Sequence, residues 1–286
     1  MNSIPFSVAP IGVFDSGVGG LSVLKAIRRR LPHQPVVFLA DQAHVPYGSR
    51  PLEEVRSYAE SITRFLLERE SRLIVVACNT ASAAALHHLR QVFPQVPFVG
   101  MEPAVKPAAE NTHTGVVGVL ATPATFQGAL YASVIERFTQ GVTVLQHTCP
   151  GLVSQIEAGH LDDPETRRIL EDALIPMLAQ GVDTIVLGCT HYPFVIPLIQ
   201  KIAGPGVRVI DPAPAVARQV QRLLEADGPK KSLVSINVSF EMLYFIRFFT
   251  TSDPAALQAQ LPVLLGEAGL VSLLHWGENL NLDEVN

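Results

Sequence analysis

Leu73-Ile-Val-Val-Ala-Cys-Asn-Thr-Ala-Ser82 decides how the chain is read. The apolar, β-branched run over 73–77 predicts a buried strand. Cys78-Asn79-Thr80 is the turn leaving it, and residues 81–89 have helix-forming composition. A thiol placed there stands at the carboxyl end of a strand and the N-terminus of a helix, where free N–H groups favour anions. The position predicts a thiol pulled below its free pKa of about 8.5, usable as a base or nucleophile. A lone cysteine in such a unit is more often a buried structural residue. Here the pattern recurs, because Asp183-Thr-Ile-Val-Leu-Gly-Cys-Thr-His-Tyr-Pro193 again runs strand, Cys, Thr and an apolar, helix-like segment. Two thiols, each ending its own strand, suggest a paired device.

Outward from Cys78, residues 9–14 read as a first strand, followed by the tight turn Asp15-Ser-Gly-Val-Gly-Gly20 and an amphipathic helix over 21–31. The spacing is G-x-G-G, not G-x-G-x-x-G, and the preceding Asp15 would repel a pyrophosphate, so nucleotide binding is not expected. Residues 35–39 are a second strand. The loop Ala40-Asp-Gln-Ala-His-Val-Pro-Tyr-Gly-Ser49 and a helix over 52–69 lead into the Cys78 strand. Three strand–turn–helix units predict an α/β fold with a mainly parallel sheet, whose ligands lie beyond the carboxyl ends of the strands. Asp15, Ser16, Tyr47, Gly48, Cys78, Asn79 and Thr80 all fall on that rim.

A Pro-rich crossing over 97–107 is one hinge candidate, and residues 207–212 are another. Between them a second series runs through strand 115–120, the turn Ala121-Thr-Pro-Ala-Thr125, a helix over 128–138, a strand over 142–147 and the Cys189 unit. Two pseudo-symmetric α/β domains are therefore expected, with the active site in the cleft between them. The first is residues 1–99 plus 211–286 and carries Cys78; the second is 100–210 and carries Cys189. After 212 the pattern predicts a long helix, a hairpin-like stretch over 233–250 and a C-terminal helix.

The 286 residues are 48% hydrophobic and 16% charged, which favours packed domains over disorder. A net charge of −5 and a pI near 6.0 carry no phosphate-backbone footprint, so nucleic acid is not an expected partner. No apolar stretch is long enough for a membrane span, and residues 1–5 lack a basic signal n-region. Three cysteines without a CxxC pair suit a reducing compartment, so the expected location is cytoplasmic. Self-association as a homodimer is left open.

Two facing sulfurs suit one reaction in particular. A thiolate removes the α-proton of a small amino acid on one face while a thiol returns a proton on the other, inverting the centre. Asp15 and His191 are the titratable residues nearest the thiols in sequence and are expected to steady their protons. Ser16, Asn79, Thr80, Thr122, Thr125 and Thr190 would bind ammonium and carboxylates. Cys149 lacks the Cys-Thr context and reads as structural. Cys78, Cys189 and His191 lack finger-like spacing, so a zinc site is not expected. A pyridoxal route needs a Schiff-base lysine, and of five lysines only Lys106 lies near a hinge candidate, with no phosphate loop beside it.

Asp15-Ser-Gly-Val-Gly-Gly20, Pro46-Tyr-Gly48, Cys78-Asn-Thr-Ala-Ser82, Ala121-Thr-Pro-Ala-Thr125 and Gly188-Cys-Thr-His-Tyr-Pro193, in that order, resemble the glutamate racemases of the aspartate/glutamate racemase family. The resemblance covers about residues 10 to 255. It implies a cofactor-independent enzyme of two pseudo-symmetric α/β domains that converts L-glutamate to D-glutamate for peptidoglycan. By the same resemblance Cys78 and Cys189 are the acid–base thiols. Asp15, Ser16, Tyr47, Gly48, Asn79, Thr80, Thr190 and His191 then bind substrate or assist. The family's Pro-Leu-Val-Glu stretch is Ser154-Gln-Ile-Glu157 here, and the assisting carboxylate carries over as Glu157. The tail over 275–286 matches nothing in the family and reads as an accessory segment, mobile or in subunit contact. Other readings are an aspartate racemase, a Cys–His hydrolase and a non-catalytic two-lobed binding protein.

Overall fold

The computed structural model describes residues 9–227 and 246–285. Its apolar runs form strands β1 (Ile11–Asp15), β2 (Val36–Ala40), β3 (Ile74–Val76) and β4 (Phe98–Gly100). Every residue of β1, β2 and β3 is buried. Burial on both faces is what helices on either side of a parallel sheet impose, which explains continuous rather than alternating hydrophobicity. Between these strands run α1 (Gly20–Arg30), α2 (Leu52–Glu68) and α3 (Asn79–Val92). The α2 helix buries Val55, Tyr58, Ala59, Ile62, Phe65 and Leu66, a three-and-four spacing that lays one apolar stripe on the sheet. The Val, Ile, Leu and Phe side chains among them contribute roughly 1.5–3 kcal/mol each when fully buried.

After α4 (Val105–Asn111), the second series begins with β5 (Val116–Ala121), α5 (Pro123–Gln127), α6 (Ala129–Phe138) and β6 (Thr143–His147). It continues through α7 (Leu152–Glu157), α8 (Pro164–Ala179), β7 (Thr184–Gly188), α9 (Ile196–Ala203) and β8 (Arg208–Ile210). These strands form a four-stranded parallel sheet in the order β6-β5-β7-β8. The chain then returns through α10 (Ala213–Asp227), which packs on α1.

The remaining elements are β9 (Ile246–Thr250), α11 (Pro254–Leu264), β10 (Val271–Trp276) and β11 (Leu282–Glu284). They complete a seven-stranded sheet in the order β11-β10-β9-β2-β1-β3-β4, parallel except for β11. Two expectations are corrected here. The tail over 275–285 is not a mobile segment: Leu282–Glu284 pairs antiparallel with β10, and Trp276 Nε1 donates to Asp41 Oδ1 at 2.8 Å. The C-terminal helix is likewise not terminal, since two strands follow it. Of the hairpin expected over 233–250, only Ile246–Thr250 lies within the described residues, and it is a strand parallel to both neighbours.

The two sheets repeat one arrangement. β1 lies between β2 and β3, and β5 lies between β6 and β7. Cys78 follows the strand beside β1, and Cys189 follows the strand beside β5. Strand order reverses at both places, which opens a crevice at the carboxyl ends. Among the described residues no helix is long and apolar enough to cross a membrane.

Candidate active site

Cys78 is the N-cap of α3. Its backbone is extended, and its Sγ accepts the Ala81 N–H at 3.5 Å. Ser16 Oγ lies 4.0 Å away. Cys189 leaves β7 with its Sγ 3.7 Å from His191 Nδ1. Both sulfurs line one cavity of about 20 Å³, enough for about one water. Ser16, Asn79, Thr80, Thr122, Thr190 and His191 supply its polar wall; Pro46, Tyr47, Gly48 and Val153 complete it. Among the described residues no Lys or Arg lines it.

The amide of Asn79 carries the clearest sign of a ligand. Its Oδ1 and Nδ2 are both buried and both lack a protein partner. A buried amide left unpaired costs about 1–3 kcal/mol, so a polar ligand that meets it recovers that energy. Thr80 Oγ1 and Thr122 Oγ1, from the two different series, meet at 2.9 Å across the cavity. Thr122 also caps α5, its Oγ1 accepting the Thr125 N–H at 3.3 Å. Thr125 stands behind Thr122 and outside the lining.

Asp15 also lies just behind the wall. Its Oδ2 accepts the Gly20 N–H at 2.6 Å, fixing the start of α1, while Oδ1 is buried without a partner. Burial raises its pKa above the usual carboxylate value, against the lowering pull of His191. Cys78 overturns the expectation of a lowered thiol pKa. Burial, then the charge of Asp15, push it well above the usual 9.0 and outweigh the Ala81 N–H. One amide at 3.5 Å does not offset that desolvation.

Glu157 does not line the cavity; it fastens His191 from behind. His191 Nε2 lies 2.5 Å from Glu157 Oε1, an oxygen that also accepts the Val18 N–H at 2.7 Å, and Oε2 accepts from Gln42 Nε2 at 3.0 Å. Burial pulls the His191 pKa down, but Cys189 and Glu157 outweigh it and leave the imidazole well above 6.5. Burial likewise raises Glu157, yet His191, Gln42 and Val18 bring it below 4.5. Gln42 and Asp41 escaped the sequence reading, although they follow β2 at the carboxyl rim where such residues belong. Cys149 is buried, and burial with the nearby Cys189 pushes its pKa to about 12, in keeping with a structural residue.

Residues 11–220 match the family described as Asp/Glu/Hydantoin racemase. Among curated relatives, the glutamate racemase of Stutzerimonas stutzeri is 48% identical over 263 residues, 92% of this chain and 96% of its own. That of Pseudomonas aeruginosa PAO1 is 49% identical over 266 residues, covering 93% and 97%. Among solved structures, Escherichia coli glutamate racemase in complex with L-glutamate and the activator UDP-MurNAc-Ala superposes with a TM-score of 0.80 at 31% identity, covering 97% of this chain and 100% of that one. Francisella tularensis glutamate racemase in complex with D-glutamate gives 0.76 at 28% identity, covering 93% and 97%.

Proposed function

The chain belongs to the glutamate racemases of the Asp/Glu/Hydantoin racemase family, and we propose that it inverts glutamate by passing protons through Cys78 and Cys189 on opposite faces of the α-carbon. The observation that carries this is the pair of sulfurs in one cavity, each at the end of a matching strand, with the unpaired Asn79 amide in the same lining.

For L-glutamate, Cys189 takes the α-proton. The carbanionic intermediate is protonated on its other face by Cys78. The elevated pKa of Cys78 suits the donor in this direction, because the group begins as a thiol. His191, its pKa raised by Cys189 and Glu157, offers a counter-charge to the Cys189 sulfur when that sulfur is ionised. Asp15 steadies the Cys78 proton, and in the reverse direction the two thiols exchange roles. Ser16, Tyr47, Gly48, Asn79, Thr80, Thr122 and Thr190 hold the ammonium and carboxylates. Thr125 serves through Thr122. In this reading residues 1–99 with 211–286 are one lobe and 100–210 the other. The separate sheets support that division. The product is D-glutamate, which the family resemblance assigns to peptidoglycan.

Optical rotation of L-glutamate and L-aspartate, followed separately with dialysed, chelator-treated protein, tests the substrate and the independence from cofactors. In D₂O at early times, deuterium should enter the product enantiomer far faster than the remaining substrate. Cys78→Ser and Cys189→Ser should each abolish racemisation. Equal label in both enantiomers with one dispensable cysteine would establish a single base and defeat the two-thiol reading. A binding protein would leave the rotation unchanged.

A further inference from the structure

Asp41 directly follows β2, is fully buried, and gathers four side chains onto one carboxylate. The Tyr47 hydroxyl donates to Oδ2 at 2.5 Å; Thr251 Oγ1 and Trp276 Nε1 donate to Oδ1 at 2.7 and 2.8 Å. His44 Nδ1 lies 3.0 Å from Oδ2. Of these four, only Tyr47 reaches the cavity between the thiols. The other three come from the loop beside it, from the end of β9 and from the tail strand β10.

The rings repeat the connection. His44 stacks on Tyr58 with centroids 4.0 Å apart, and Trp276 meets both rings at 5.2 and 5.3 Å. Tyr47 lies 6.0 Å from Tyr58. The tail thus closes an aromatic box around the loop that carries Tyr47 and Gly48. Hydrogen bonds to a buried carboxylate are strong, and donors sharing one acceptor reorganise together when one is lost.

We infer that Trp276 is a positioning residue for the substrate cleft, holding Tyr47 in its wall through the shared carboxylate of Asp41. This rests on the reading of the cleft as the glutamate site. Tyr47 is part of the wall that a bound glutamate would meet. The indole N–H sets how firmly it holds.

Trp276→Phe keeps a six-membered ring against His44 and Tyr58 and removes the N–H together with the pyrrole part of the indole. The expected result is a rise in KM for glutamate of about 3- to 10-fold, the size of one net hydrogen bond, with kcat and melting temperature close to the wild type. Thr251→Val, which removes the other side-chain donor on Oδ1, should also raise KM and combine with Trp276→Phe less than additively. A KM equal to wild type in Trp276→Phe overturns the inference. A readout independent of turnover comes from the indole, the single tryptophan of the chain. Tyr47→Phe should shift its emission maximum, because the carboxylate it bonds has lost one of its other donors; unchanged emission also overturns the inference. Failure of the wild type to racemise glutamate would instead defeat the thiol reading, and the emission experiment would still decide this one.

Discussion

Glu157 Oε1 lies 2.5 Å from His191 Nε2, and the pair is nearly enclosed, with side chains 13% and 3% exposed. Both groups shift toward their charged forms. His191 is raised above 6.5, so its contribution is complete below that value and is lost as pH rises through its folded pKa. Glu157 is lowered from 4.5, so its contribution is complete above that value and is lost as pH falls through its folded pKa. Glu157→Gln should therefore destabilise the protein most between pH 4.5 and 6.5, by on the order of 3 kcal/mol. The difference should shrink at higher pH. Urea denaturation across pH 4 to 10 measures it, and a gap that is constant with pH would refute the charged pair.

Cys78 should be slow to alkylate without ligand. In a Cys149→Ala/Cys189→Ser background, where Cys78 is the remaining thiol, the iodoacetamide rate should titrate with a midpoint above 9.0. Asp15→Asn removes the second-largest cause of the shift and should lower that midpoint. A midpoint below the free-thiol value of about 8.5 would show that the helix N-terminus dominates after all.

Gly19 leaves no room for a side chain. A Cβ there would come within 2.5 Å of His191 Nδ1 and 2.7 Å of Asp15 Oδ2. Gly19→Ala must displace one or the other, and misplacements of this kind cost about 100-fold in turnover. We expect kcat to fall by that order while circular dichroism stays native. Activity within a few-fold of wild type would show that neither position matters.

Cys149→Ala tests the third thiol. The residue is buried at a positive φ of 45°, within the core rather than the cavity lining. Loss of its sulfur should cost about 1 kcal/mol of stability and leave kcat/KM within about twofold. Glutamate should protect the protein from alkylation in this variant as in the wild type. A large loss of turnover would move Cys149 into the chemistry.

The strands that place the thiols were legible because burial on both faces writes itself into the chain as unbroken apolar runs, as in Leu73–Ala77 and Thr184–Leu187. The tail was not. Val271-Ser-Leu-Leu-His-Trp276 lies toward the edge of its sheet and is only partly buried, so its sequence has neither a continuous run nor clean alternation. The rim residues Asp15, Ser16, Tyr47, Cys78 and Cys189 were found by their position after strands. The pKa of Cys78 was misjudged because helix polarity can be read from local sequence, whereas enclosure and the approach of Asp15 depend on the folded whole. Asp41 and Gln42 were passed over for a related reason. Trp276, Thr250 and Glu157, which reveal their roles, are distant in the chain.

In the seven-stranded sheet, β2 pairs on one side with β1 and on the other with β9, so that Val36 meets Ile246. During synthesis the chain from 116 to 210 emerges and can complete its own four strands while β2 still waits for its second neighbour. The free edge of Val36-Val-Phe-Leu-Ala40 is thus an open template for most of translation, five apolar residues able to pair with any passing strand. Nascent chains stalled before Ile246 should accordingly be the aggregation-prone species of this protein, and Ile246–Thr250 is the stopper that ends the hazard.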